Sequence, residues 1–280
     1  YIVQRVGSIL EEKNQRGLAH FLEHMAFNGT KHFPGKALIN YLEDNGVRFG
    51  ADINAYTAFD QTVYSISNVP TQRTGLVDSC LLILHDWSGC ITLNAEEIDA
   101  ERKVIHEEWR TKRSVRDRIY EQTLPKLFPD SNRYAYRMPI GLMEVVDNFP
   151  HQALRDYYHK WYRPDLQAII VVGDIDADYV EAKIKEMFSP IAMPENPAER
   201  IYYGVDDNAE PIVVTDKDPE QSMTIVSLMQ KHQPLWPEDQ KNSVEYLRHK
   251  AVKSMIAGMF SSRMQDILQK PETPYLMSSF

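Results

Sequence analysis

Five consecutive residues, His20-Phe21-Leu22-Glu23-His24, carry the strongest chemical signal in this chain. On a helix, positions four apart lie on one face, one turn apart. Both imidazoles can then reach a single metal ion. Glu23 stands beside His24, where a carboxylate can take a proton from a metal-bound water. The chemistry such a set supports is metal-assisted hydrolysis. A match of this kind arises by chance in about a few sequences per hundred, so it outweighs a lone histidine pair. The competing reading is two core histidines hydrogen-bonded to backbone.

The flanks predict a helix that can position these groups. Ala19, Phe21, Leu22, Met25, Ala26 and Phe27 make the segment apolar nearly all round, as in a buried helix. Gly17 precedes it, and Asn28-Gly29-Thr30 reads as its stop. Buried polar groups without partners are costly, and a metal ion would satisfy all three. A catalytic zinc usually takes three protein ligands, so a third must face the pair from another element. Ile98, Glu101, Ile105, Glu108 and Trp109 recur at helical spacing. Glu101 and Glu108 sit two turns apart on that otherwise apolar stripe, unexpected unless something positive meets them. Salt bridges to Arg102 or Arg113 are the alternative. Glu96, Glu97 and Glu107 read as a solvated face, and His106 as surface.

Composition bounds the rest. The chain has 280 residues, 43% hydrophobic and 25% charged, with a net charge of −9. That suits one large or two ordinary globular domains and argues against a nucleic-acid partner. No run is long enough to span a membrane, and no signal peptide is recognisable. The opening residues, Tyr1 to Val6, read as a strand already under way, which suggests a portion of a longer protein. Cys80 falls on the apolar stripe of a predicted helix and reads as a core thiol. Cys90 is left without a role. The helix between them separates their Cα atoms beyond the roughly 7 Å limit of a disulfide. The other seven of the nine histidines, including His32 and His85, are scattered and suggest no site.

Helices are expected over 36–44, 71–88, 152–161 and 177–188. One long helix is expected over 94–123, opened by an Asn94/Glu97 capping box and ended before Pro125. Strands are expected over 47–57, 62–69 and 166–173, the last strongly buried. The proline-bearing stretch 189–211 reads as a linker. Strands over 212–216 and 222–230, a helix over 238–260 and a strand-like end at 275–280 would follow.

The segment Gly17 to Thr30 resembles the metal-site segment of the pitrilysin/insulysin family of zinc metallopeptidases, the inverzincins. The resemblance continues through Asn54-Ala55-Tyr56-Thr57, Thr62-Val63-Tyr64, Glu101 to Glu108, Tyr162-Arg163-Pro164-Asp165 and Val172-Gly173-Asp174. It spans nearly all of residues 1 to 190, and is nearest to a bacterial periplasmic branch of that family.

The resemblance implies an α+β fold, an antiparallel sheet backed by helices in the family's α/β roll, repeated along the chain. Residues 1–190 would be the zinc-binding peptidase domain, 191–211 a linker, and 212–280 the start of an incomplete second repeat without metal. One zinc ion per chain would be held by His20, His24 and Glu108. Glu23 would be the general base on the zinc-bound water, and Glu101 an outer partner that orients a ligand. The stretch between His24 and Glu108 is longer than usual in the family, which keeps Glu107 open as the third ligand. A peptide or small protein would bind extended along the strand from Gly50 to Thr57, with Asn54 and Ala55 as backbone contacts. A C-terminal half or partner subunit would close the chamber, in the periplasm. Two alternatives stand beside peptide-bond hydrolysis: a non-catalytic peptide-binding or scaffold relative, and a chain inactive without that second half.

Overall fold

Short apolar segments far apart in sequence meet in one sheet. In the computed structural model, which describes residues 1–128, 131–231, 236 and 240–278, they are β1 (Ile2–Gln4), β2 (Ile53–Thr57), β3 (Thr62–Ile66) and β4 (Gln167–Ile169). Their order is β2-β3-β1-β4, and every pairing is antiparallel. Ile2 faces Tyr64 on one side and Ile169 on the other. β2 thus lies at an edge, with β3 as its one partner strand among the described residues.

Helices cover the sheet: α1 (Leu18–Met25), α2 (Ala37–Asp44), α3 (Leu76–Gly89), α4 (Ala95–Lys112), α5 (Val115–Leu127), α6 (Met143–Asn148), α7 (His151–Trp161) and α8 (Ala177–Phe188). Every residue of α1 except His24 is buried, as its all-round apolar character requires. α1 packs against β2, β3, α4 and α7. Trp87 of α3 is fully buried, stacks on Tyr64 at 5.2 Å, and donates its indole N–H to the Ala26 carbonyl at 2.9 Å. The end of α1 is thereby pinned to α3.

The start of α1 is pinned as well. Gly17 adopts φ 109°, and a Cβ on Gly141 would stand 2.3 Å from the Gly17 Cα. Only glycine permits that backbone contact. The buried Glu11 carboxylate accepts from Gly17 N at 3.0 Å and Ala19 N at 2.8 Å, capping the helix from outside it.

Several expected elements differ. The single helix expected over 94–123 is two. Ser114 and Asp117 form a capping box that opens α5, and α5 runs through Pro125 to Leu127. Asn94 is the N-cap residue of α4, yet its side chain makes no capping bond. The strand expected from Val47 or Gly50 begins only at Ile53, because Gly50 takes φ 77° and Asp52 folds back on Arg48. β3 ends at Ile66, just before Asn68 at φ 53°. α3 begins at Leu76, after the turn that ends at Gly75 with φ 79°. β4 is a three-residue edge strand, not a long buried one, and Val172 beyond it is 85% exposed.

The chain divides into two compact units, Tyr1–Thr224 and Ile225–Phe280. In the first, residues 189–224 form no helix or strand and are tied down by side chains. Arg118 holds Asp218 at 2.7 Å, and Thr123 donates to Asp216 at 2.8 Å. The strands expected over 212–216 and 222–230 do not form, since nothing among the described residues pairs with them. The second unit contains α9 (Val244–Leu268), which has no buried residue and starts later than the expected 238. Glu238, His232 and the last two residues of the expected end strand lie outside the described residues, and 275–278 is not a strand.

Candidate metal centre

α1 and α4 cross so that the buried faces of both carry polar groups toward one point. His20 and His24 lie one turn apart and meet edge to face, ring centroids 4.7 Å from each other. Glu108 approaches from α4. Its Oε2 lies 3.7 Å from His20 Nε2 and 3.1 Å from His24 Nε2. One donor atom from each of the three lies within 4.8 Å of the others. A tetrahedral zinc with bonds near 2.1 Å separates its ligand atoms by about 3.4 Å, a value these distances straddle. His20 Nδ1 is buried without a hydrogen-bond partner, so ordinary core hydrogen bonding does not account for this residue. The donor set, two imidazoles and a carboxylate, is the chemistry zinc accepts.

Outer partners fix the donors. His24 Nδ1 bonds Glu101 Oε1 at 2.8 Å, which orients the ring and leaves Nε2 for the centre. Glu101 Oε2 accepts from Asn28 Nδ2, and Lys36 donates to Asn28 Oδ1. Lys112 Nζ donates to Glu108 Oε1 at 2.8 Å, so only the other oxygen faces the histidines. Glu107 points away, is 61% exposed on its side chain and pairs with Arg110 at 2.8 Å. Arg102 pairs with Asp99, and Arg113 with Glu121, so neither takes the stripe glutamates.

The electrostatics follow from this crowding. Burial would lower His24, but hydrogen bonds to Glu101 and Glu108 outweigh it and raise it to about 9. Burial, and then the charge on His24, lower His20 to about 4. The His24 hydrogen bond holds Glu108 down at about 2. The close approach of the Glu108 carboxylate to both imidazoles makes this point favourable for a cation. Glu23 is pushed up by burial, partly offset by the Thr57 hydroxyl, which donates to its Oε2 at 2.5 Å.

A cavity of about 380 Å³ opens onto the centre, with His20, Glu23 and Glu108 at its base. Ala55, Tyr56 and Thr57 of β2 line one side, and Trp109, Arg113 and Met138 to Ile140 another. Asn54 is exposed on the same edge strand, and its Oδ1 accepts from Ala55 N at 2.9 Å. Sequence reasoning gave no role to Asn28, Thr57, Lys112 or Glu11. Only the helical step of four from Glu108 to Lys112 could have signalled one of these partners.

Comparison with known proteins locates the same architecture. Residues 2–134 match the model of the insulinase peptidase family, M16, and residues 148–279 match that of the M16 inactive domain. The probable zinc protease PqqL of Escherichia coli is 36% identical over 267 residues, covering 95% of this chain and 28% of that protein. The chain thus spans under a third of that relative's length. The crystal structure of the periplasmic protease PqqL from Escherichia coli superposes with a TM-score of 0.68 at 40% identity, over 73% of this chain and 22% of that one. A protease from Helicobacter pylori superposes with a TM-score of 0.64 at 25% identity, over 73% of this chain and 48% of that one.

Proposed function

The chain belongs to the insulinase family of peptidases, M16, and from that premise we propose that it forms the metal-binding part of a zinc metalloendopeptidase acting on extended peptides. The observation that carries the reading is convergence. Three ligand-type atoms, from His20, His24 and Glu108, lie within 4.8 Å of one another, with Glu23 lining the same cavity. Zinc held there supplies Lewis acidity and lowers the pKa of a water it binds to about 7.

Glu23 takes the proton of the attacking water and hands it to the leaving amine. Burial favours its protonated form, which suits the second of those steps. Thr57 holds one oxygen of Glu23, leaving the other to the reacting groups. Glu101 keeps His24 in the tautomer that ligates through Nε2. The outer edge of β2 receives the peptide backbone at Asn54 and Ala55, as an added strand. A second half of the protein or a partner subunit closes the chamber. Its compartment is the periplasm, by likeness to the Escherichia coli protease.

Glu23→Gln separates chemistry from metal binding. In the full-length protein it should keep stoichiometric zinc and lose peptide cleavage by about 10²-fold to 10⁴-fold, read with a quenched fluorescent peptide. Cleavage at the parent rate would exclude Glu23 as the base.

A further inference from the structure

His32 and His85, far apart in sequence, meet over the carboxylate of Asp86. Donor atoms of the three lie within 4.8 Å of one another, and none belongs to the centre at His20. His32 Nδ1 stands 2.7 Å from Asp86 Oδ1, and His85 Nδ1 stands 3.5 Å from that same oxygen. The other oxygen, Oδ2, is fully engaged. It accepts the Thr30 hydroxyl at 2.6 Å and the His32 backbone N–H at 2.9 Å. Asp86 is 0% exposed and is held rigidly at both oxygens, since Oδ1 bonds His32 Nδ1 and also faces His85 Nδ1 at 3.5 Å.

A loop-anchoring network explains Thr30 and His32, but not His85. Its Nδ1 is buried with no hydrogen-bond partner, although it faces Oδ1, and its ring is braced edge-on by Phe188 at 5.4 Å. A buried nitrogen left unpaired beside a carboxylate is an atom that a bound ion would satisfy. The His32 side chain is 38% exposed, so solvent can complete the coordination.

We infer that His32, His85 and Asp86 form a second metal site, which takes an exchangeable divalent first-row transition ion such as zinc. Two imidazoles and a carboxylate select such ions over calcium or magnesium, which prefer all-oxygen sites. Bound there, the ion clips the loop after α1 to the end of α3.

Zn2+ titrated into the chelator-stripped chain, followed by calorimetry, tests this. The parent should bind two equivalents, His20→Ala/His24→Ala one, His85→Gln one, and the combination none. His32→Ala, on the exposed side, should weaken the second site by more than about 100-fold. Thr30→Val, acting through Asp86, should weaken it by about 10-fold to 100-fold. A single equivalent in the parent, lost in His20→Ala/His24→Ala and untouched by His85→Gln and His32→Ala, would overturn the proposal. If the first centre alone fails, parent and His20→Ala/His24→Ala each show one equivalent that His85→Gln removes. The two readings therefore fail separately.

Discussion

Glu101 divides its two oxygens between His24 and Asn28, and that division sets the orientation of one proposed zinc ligand. Glu101→Gln keeps an acceptor for His24 Nδ1 but removes the charge. Zinc affinity should fall by about 10-fold to 100-fold, measured by competition with a chromophoric chelator. Unchanged affinity would mean that Glu101 is a spectator. Thr57 acts on the base in the same indirect way. Thr57→Val should lower kcat about tenfold with zinc content and KM unchanged, and Thr57→Ser should restore it. A change in KM alone would place Thr57 in substrate binding instead. The His20 to His24 pattern was readable because its geometry is local, one helical turn. Spacing could not choose between Glu107 and Glu108. Rotation of α4 turns the first to Arg110 and the second to the histidines. Thr57 and Asn28 were illegible because their bonds cross 34 and 73 residues of sequence.

At the scale of elements, the helices with apolar stripes were legible and the strand ends were not. α2 and α8 fall where periodicity puts them. β2 and β3 are shorter than their apolar runs, because turns bonded by side chains consume the ends. Asp52 organises one such turn. It accepts from Asn68 Nδ2 at 2.7 Å, and from Arg48 N at 3.0 Å and Nε at 3.1 Å, which together hold its carboxyl down at about 2. The folded value lies below the ordinary 3.8, so the stabilisation is complete above 3.8 and fades as pH falls through about 2. Asp52→Asn should flatten that acid limb in urea unfolding measured at a series of pH values. An acid limb identical to the parent's would rule the turn out as its source. The break between α4 and α5 was hidden for a related reason. Ser114 and Asp117 were readable as a cap only once the chain was known to bend at Arg113.

For the molecule as a whole, all proposed zinc ligands belong to the unit Tyr1–Thr224. A ligand present at about 1,000 times its dissociation constant stabilises the folded state by about 4 kcal/mol. For a unit of this size that corresponds to roughly 10 °C in the melting temperature. Chelation should therefore lower the calorimetric transition of this unit in the parent, and lower it by less in His20→Ala, where only the site at His85 is left to strip. A transition indifferent to chelator in the parent would argue against a folded-state zinc site. The overall class was legible through the resemblance carried by the segments from Gly17 to Asp174. The absence of strands in 212–230 was not, since apolar alternation does not reveal whether a partner strand is at hand.

The contact between Gly17 and Gly141 has a consequence for how the cleft measures what enters it. α1 begins at that contact, and Met138 to Ile140, which line the cavity, lead into it. Leu142 N bonds Arg16 O at 3.3 Å, and the Arg137 guanidinium bonds Glu11 O at 2.8 Å on the same seam. At Gly17 and Gly141 floor and wall meet backbone to backbone, with no side chain of either residue to act as a spacer. The gauge on that side is thus the thickness of the polypeptide itself. Substitutions at Met138 or Ile140 can repaint the wall, but they cannot move it.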